Sequence, residues 1–357
     1  MPAARPTTLR PAQVRVRIPR RGRTVALATG LALSSALGLA ACGATAPDET
    51  DGTGGATEAA SPAASGFPLD LENCGVPVEL EAAPERVVTI KSSATEMVLA
   101  LGAGDRLVGH AFPDAPVPAE LLDGGTEPPL LSEKVPSAEV VLETEPDLVY
   151  AGWESNLTAE AGGDRATLAG LGVATYVSPS ACKDPAHRPE RLTFDEVAAE
   201  IREAGALLGV PEAAERLVTQ QQEVLDGIEP DGRGLTALWY SSGTDVPYVG
   251  AGIGAPQMLM DAVGLENIAA GVEDTWTPFS WEQVAEDDPD VIVLVDSAWN
   301  SAEAKRELLA TSPATAELSA VRAERYLVVP FPATEAGVRN AAAAADLADQ
   351  LAVLEVG

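Results

Sequence analysis

Two stretches of the chain alternate between short β-branched apolar runs and segments with apolar residues at helical spacing. Such runs predict buried strands, and apolar positions three and four residues apart predict amphipathic helices. The first stretch predicts strands at 86–90, 106–109, 147–150 and 174–177 and helices at 96–101, 138–142 and 161–171. The second predicts strands at 235–240, 291–295 and 326–329 and helices at 258–263, 281–285 and 339–354. Because strands alternate with helices, we expect an α/β fold in which helices cover parallel sheets.

Between these stretches, residues 193–228 keep a helical period over their whole length. Gly209 and Pro211 interrupt the pattern, which leaves a kinked helix and a helix pair as alternatives. The predicted body therefore consists of an N-terminal lobe at 67–190, a connecting helix at 191–232 and a C-terminal lobe at 233–357.

The two lobes share a repeated unit. Residues 139–150 align with residues 282–293, and the alignment matches two glutamates, a Pro-Asp pair and an apolar run. Two similar lobes joined by a helical segment predict a cleft between them, because ligands of open α/β sheets bind beyond the carboxyl ends of the strands.

The first 41 residues have the pattern of an export signal. Seven arginines precede the first acidic residue, and an uncharged stretch rich in Ala, Leu and Gly follows at 24–41. The segment Leu39-Ala40-Ala41-Cys42 resembles a bacterial lipobox, so we predict a lipoprotein signal peptide at 1–41 and lipidation of Cys42. Small and polar residues at 42–66 predict a flexible tether to the extracytoplasmic face of the bacterial cell membrane. An uncleaved anchor is the alternative, and the choice between Sec and twin-arginine export stays open.

Without the signal peptide the chain is strongly acidic. The full sequence carries 23 basic and 54 acidic residues; without the seven leading arginines, 16 basic residues face 54 acidic ones, a formal charge of −38. Such a surface repels nucleic acid, so we expect no nucleic-acid partner. Cys74 and Cys182, the remaining cysteines of an exported protein, are predicted to form a disulfide, with two buried thiols as the alternative.

Three common catalytic or metal-binding motifs are missing from the sequence. It contains no Gly-x-Ser-x-Gly, no Gly-x-x-x-x-Gly-Lys-Ser/Thr and no His-Glu-x-x-His segment. Its two histidines, His110 and His187, are too few for a bare Zn²⁺ or Mn²⁺ site. We therefore expect a protein that is not an enzyme and has no catalytic residues, resident metal or cofactor. A hydrolase or signalling receptor on the same fold is the alternative from another class.

Residues 86–109, the two Glu…Pro-Asp units and the segment 318–326 resemble the iron-siderophore and cobalamin class of ABC importer substrate-binding proteins. The resemblance covers roughly residues 70–355. It implies two Rossmann-like lobes with parallel sheets, joined by a long rigid α-helix around a ligand cleft. It also implies a monomer that delivers a bulky small molecule to a permease dimer with ATPase subunits.

Segments 88–96, 148–156 and 177–183 further resemble an actinobacterial subgroup proposed to bind a deazaflavin coenzyme precursor, factor-420 without its glutamate tail. This ligand stands beside a ferric siderophore, haem and cobalamin as an expectation. In the wider family, a surface glutamate on each lobe docks onto permease arginines, and the matching positions here are Glu139 and Glu282. Stabilisation of a helix amino terminus is the alternative role for both.

Candidate cleft residues follow predicted strands or precede helices, and all of them except Ser92 are aromatic or basic. They are Lys91, Ser92, Phe112, Lys134, Trp153, Tyr248, Trp276, Trp299 and Arg339. Aromatic rings suit planar ligands, and three basic side chains in so acidic a chain predict an anionic ligand. The alternatives are packing between the lobes for Trp276 and Trp299 and surface ion pairs for Lys134 and Arg339.

Overall fold

The computed structural model describes residues 66–356. The predicted signal peptide, the lipidation site Cys42 and nearly all of the tether lie outside the described residues. Within 66–356, no helix is long and apolar enough to cross a membrane. The described chain opens with an antiparallel hairpin of β1 (Leu69–Asn73) and β2 (Val76–Leu80), which the sequence patterns did not predict.

The N-terminal lobe is built on a five-stranded parallel sheet in the order β5-β4-β3-β6-β7. Its strands are β3 (Val87–Ile90), β4 (Leu107–Ala111), β5 (Leu130–Ser132), β6 (Leu148–Ala151) and β7 (Ala174–Val177). Its helices are α1 (Ser92–Ala100), α2 (Ala138–Leu142) and α3 (Arg165–Gly170). β3 and β6 are buried throughout, as expected for apolar strands covered on both faces. The strand order reverses between these two central strands, which places a ligand-binding crevice at their carboxyl ends.

The C-terminal lobe has a six-stranded sheet in the order β11-β9-β8-β12-β13, with β10 paired to β8. Its strands are β8 (Thr236–Ser242), β9 (Tyr248–Gly250), β10 (Glu266–Asn267), β11 (Trp276–Pro278), β12 (Val291–Asp296) and β13 (Tyr326–Pro330). Its helices are α6 (Ala255–Val263), α7 (Trp281–Asp287), α8 (Ala302–Thr311), α9 (Ser319–Arg322) and α10 (Asn340–Ala352). β9 and β11 run antiparallel to their neighbours, so this sheet is mixed and not wholly parallel as expected.

The connection between the lobes is a helix pair, which corrects the expectation of one long rigid helix. α4 (Phe194–Leu207) and α5 (Pro211–Asp226) are separated by Gly209, whose φ is 67°. A left-handed residue ends a helix, and proline at the first position of the next one starts it, so the chain turns back here. α4 packs into the core of the N-terminal lobe, and α5 contacts α10 of the C-terminal lobe.

The predicted disulfide between Cys74 and Cys182 is confirmed, with 5.3 Å between their Cα atoms. It joins the β1–β2 hairpin to the loop that follows β7. This loop therefore has a covalent support at the carboxyl edge of the first sheet.

Candidate functional site

A cavity of about 470 Å³ lies between the two lobes. Segments 153–155 and 180–183, which follow β6 and β7, form its N-terminal side. The ends of β8 and β12 and the segment 331–336 after β13 form much of its C-terminal side. The cavity thus lies at the carboxyl ends of strands from both sheets, and its volume suits a drug-sized organic ligand.

Aromatic rings form much of the cavity wall, and four of the predicted residues are among them. Tyr248 and Trp276 are stacked, with 6.2 Å between ring centres and 12° between ring planes. Trp299 is 60% exposed and meets Phe331 edge-on at 4.9 Å. Trp153 lines the opposite, N-terminal side. Exposed aromatic surface in a concave site gains free energy when a ligand covers it.

Lys91, Ser92 and Phe112 lie behind the cavity wall and are not among its lining residues. The Lys91 side chain is 1% exposed; its ammonium pairs with the buried carboxylate of Asp114 and lies 3.7 Å from the centre of the Trp153 ring. Ser92 Oγ accepts a hydrogen bond of 2.8 Å from the Asp114 backbone N–H. Phe112 packs edge-on against Trp153, with 6.2 Å between ring centres. These residues support the Trp153 indole from behind.

Arg339 joins the two lobes and is not among the lining residues of the cavity. Its Nε and Nη2 donate to the two carboxylate oxygens of Glu96, on α1, at 2.6 and 2.5 Å. Burial raises the pKa of Glu96, and the hydrogen bonds from Arg339 oppose that rise. A second contact between the lobes runs from Trp153 Nε1 to Glu335 Oε2 at 2.7 Å. Burial raises the pKa of Glu335, while the hydrogen bond from Trp153 and the charge of Lys91 lower it.

The charged residues that line the cavity are ones that sequence reasoning missed. Lys183 and Arg188 follow β7, and Glu154 and Glu335 supply two carboxylates. Lys134, in contrast, is exposed and is not among the lining residues that the structure describes. Their position in the chain could have indicated a place in the cavity wall, because Lys183 and Arg188 lie in a loop at the carboxyl edge of the sheet. Two basic and two acidic side chains leave the lining close to electrically balanced.

Hydroxyl groups supply most of the remaining polar lining. They belong to Ser155, Ser180, Ser241, Ser242, Thr275, Ser297 and Thr334. Each hydroxyl can donate one hydrogen bond and accept others. The wall can therefore bind neutral polar groups of a ligand as well as charged ones.

Glu139 and Glu282 occupy equivalent places in the two lobes. Each is exposed and lies in the first turn of the short helix that precedes a buried parallel strand, α2 before β6 and α7 before β12. Because such helices run antiparallel to the strands, both amino termini lie at the sheet edge that faces the cavity. Ser280 Oγ donates to Glu282 Oε2 at 2.7 Å, and this hydrogen bond lowers the pKa of Glu282.

Comparisons with known proteins agree with this architecture. A family model described as periplasmic binding protein matches residues 87–333. A vitamin B12-binding protein of Pectobacterium carotovorum is 27% identical over 218 residues, which cover 60% of this chain and 72% of the relative. An uncharacterized ABC transporter substrate-binding lipoprotein of Bacillus subtilis is 25% identical over 295 residues, which cover 80% of this chain and 86% of the relative.

A solved structure shares the same fold. The ABC-type Fe³⁺-hydroxamate transport system protein from Saccharomonospora viridis has a TM-score of 0.67 and 25% sequence identity. The similarity covers 80% of this chain and 99% of that one.

Proposed function

Because the chain belongs to the periplasmic binding protein family, we propose that it is a lipid-anchored, extracytoplasmic protein that captures a bulky solute and delivers it to an ABC transporter permease for import. The aromatic cavity between the lobes carries this proposal, since residues at the strand ends of both sheets line it together. The substrate-binding lipoprotein of Bacillus subtilis supports the role in import and the anchor. In this chain, Cys42 is the proposed site of lipidation.

The lining favours an organic ligand with a planar or conjugated face and at least one acidic group. Trp153, Trp276 and Trp299 offer indole surface, and Lys183 and Arg188 can bind a carboxylate or a phosphate. The deazaflavin coenzyme precursor combines a flat ring system with such a polar part. A ferric siderophore is the second candidate, and the similarity to the Fe³⁺-hydroxamate protein supports it.

Haem is supported less well by the residue types in the wall. Haem iron takes its axial ligands from His, Cys, Met or Tyr. Among the lining residues that the structure describes, Tyr248 alone offers such a group, because Cys182 is disulfide-bonded. Burial and the nearby Asp274 raise the pKa of Tyr248, which opposes the phenolate form. Cobalamin carries its own metal ligands, so the vitamin B12-binding relative keeps it in the ligand panel.

The test is a fluorescence titration of the purified protein with a ferric hydroxamate, the deazaflavin precursor, haem and cobalamin. Three of the five tryptophans line the cavity, so a bound ligand is expected to quench a large part of the emission. Binding should also raise the thermal unfolding temperature, because only the folded protein has the cavity. Saturable binding of the deazaflavin or the hydroxamate supports the proposal, whereas turnover of any of them would contradict a transport role.

Trp299→Ala measures how much the cavity wall contributes to the binding free energy. A tryptophan side chain has about 250 Å² of surface, so roughly 150 Å² of Trp299, which is 60% exposed, remains for a ligand to cover. Covering half of it at about 25 cal/mol per Å² contributes about 2 kcal/mol, so Kd should rise about 30-fold. Leu171→Ala is the matched control, since Leu171 is 61% exposed and is not among the lining residues. An unchanged Kd for Trp299→Ala would place the ligand elsewhere.

We also propose that Glu139 and Glu282 dock onto arginines of the permease. Their equivalent positions on two similar lobes suit a partner with two similar subunits, and charge complementarity sets the orientation of such a complex. Glu139→Lys combined with Glu282→Lys should abolish ligand uptake by cells while ligand affinity in solution stays unchanged. Glu212→Lys, in the exposed first turn of α5, is the control. Normal uptake by the double variant would exclude this docking.

A further inference from the structure

Two of the four lysines in the sequence are buried: Lys91 lies against the Trp153 ring, and Lys305 hydrogen-bonds to the segment that carries Trp299. Lys91 supports the Trp153 indole from behind, as described above. Lys305, on α8, is 1% exposed and lies next to the segment that carries Trp299. Lys305 itself is not among the lining residues of the cavity.

The Lys305 ammonium holds both ends of that segment. Its Nζ donates to Val295 O at 2.5 Å, near the end of β12, and to Asn300 O at 2.6 Å. Between these carbonyls, the Asn300 N–H bonds to Ser297 O at 3.2 Å and closes a four-residue turn. Trp299 lies at the tip of this turn, with its ring against Phe331.

A buried ammonium is costly unless it is well hydrogen-bonded, so its position needs a reason. Desolvation by burial lowers the pKa of Lys305 to about 8, and the Asp296 carboxylate opposes that change. Asp296 Oδ1 also accepts from the Ala302 N–H at 2.7 Å, which joins the start of the turn to the start of α8. The lysine and the aspartate together fix the turn to the helix.

We propose that Lys305 is a positioning residue whose two hydrogen bonds hold the turn at 297–300 so that the Trp299 indole stays in the cavity wall. Its effect on a ligand therefore passes through Trp299. That Trp299 contacts a ligand rests on the proposed function. That Lys305 fixes the turn does not, because it concerns the protein without a ligand.

The first test needs no ligand. Acrylamide quenching and fluorescence anisotropy are measured for the wild type and for Lys305→Met, each with and without Trp299→Phe, so that the difference isolates the Trp299 emission. Lys305→Met should make Trp299 more quenchable and lower its anisotropy. Lys134→Met is the control, because Lys134 is exposed and away from the cavity wall. Unchanged quenching and unchanged anisotropy of the Trp299 emission in Lys305→Met would overturn the proposal.

The second test is a double-mutant cycle with the ferric hydroxamate or the deazaflavin precursor as probe. Lys305→Met should weaken binding about tenfold in the wild-type background. It should have little further effect in Trp299→Ala, because both changes remove the same contact between Trp299 and the ligand. Equal losses in both backgrounds would overturn the positioning role. If neither probe binds the wild type, the proposed function fails while the quenching result still decides the role of Lys305. Lys305→Leu, which also lacks N–H donors in its side chain, replaces Lys305→Met in both tests if the latter does not fold.

Discussion

A single buried carboxylate should make the stability of this protein depend on pH in an unusual direction. Glu200, on α4, is 5% exposed and accepts a hydrogen bond of 2.7 Å from the backbone N–H of Ser180, a residue of the cavity wall. Burial raises the pKa of Glu200 to about 7 from an ordinary value of 4.5, although the hydrogen bonds from Ser180 oppose the rise. The folded protein therefore retains a proton that the unfolded chain releases between these two pH values.

The sign and the magnitude follow from this difference in pKa. Stability falls with rising pH wherever the folded state binds more protons than the unfolded state. For Glu200 the fall begins near pH 4.5 and is complete somewhat above pH 7, and a shift of about 2.5 pKa units corresponds to about 3 kcal/mol. Glu200→Gln keeps an oxygen that can accept from Ser180 and carries no charge. It should match the wild type at pH 4.5 and exceed its free energy of unfolding by about 3 kcal/mol at pH 8.

Urea unfolding followed by circular dichroism at pH 4.5, 6 and 8 measures this free energy at each pH. Glu223→Gln is the matched control, because Glu223 is exposed on α5 and its substitution should change stability by less than about 0.5 kcal/mol. A constant difference between Glu200→Gln and the wild type at all three pH values would show that burial of Glu200 does not govern its titration.

Two further predictions concern the supports of the cavity. Arg339→Met leaves the buried Glu96 carboxylate without its partner, so the free energy of unfolding measured with urea at pH 7 should fall by about 3 kcal/mol. Glu96→Gln combined with Arg339→Met should recover part of this loss. If the losses of the two single variants simply add in the double variant, the pairing is contradicted. Replacing Cys74 and Cys182 by serine opens a link across a sequence separation of 108 residues and should cost about 3–5 kcal/mol, measured by thermal unfolding; an equal unfolding temperature for the double variant and the wild type would contradict this.

The sequence patterns predicted the strands of the two lobes well because those strands are apolar on both faces. The runs at 86–90, 147–150 and 291–295 correspond to β3, β6 and β12, which are buried over nearly their whole length. The small or exposed strands escaped prediction. β5 carries the exposed Leu130, and the β1–β2 hairpin alternates between exposed and less exposed positions over only five residues a strand. Alternation over so few residues is a weak signal, and such segments depend on tertiary pairing.

The candidate site was predictable for aromatic residues and less so for charged ones. A tryptophan near a strand end favours the cleft wall, because its large apolar ring gains from contact with a ligand, and Trp153, Trp276 and Trp299 line the cavity. A basic residue in the same place can instead form an ion pair with a buried carboxylate of the protein. Lys91 pairs with Asp114, and that partner lies in a loop that sequence periodicity does not place near it. The connection between the lobes was also open in the sequence, because the interruption at Gly209 allowed either a kinked helix or a helix pair.

The internal pairing changes how the negative charge of the chain bears on its ligand. Three scarce basic side chains suggested an anionic ligand, but Lys91 and Arg339 pair with buried carboxylates and Lys134 lies outside the cavity wall. The attraction for an anion then rests on Lys183 and Arg188, beside two lining carboxylates. Since a buried salt bridge stabilises little but costs much to break, the internal pairs fix geometry more than they attract charge. Recognition of the ligand should therefore depend more on aromatic contact than on charge, so raising the salt concentration should weaken binding less than Trp299→Ala does.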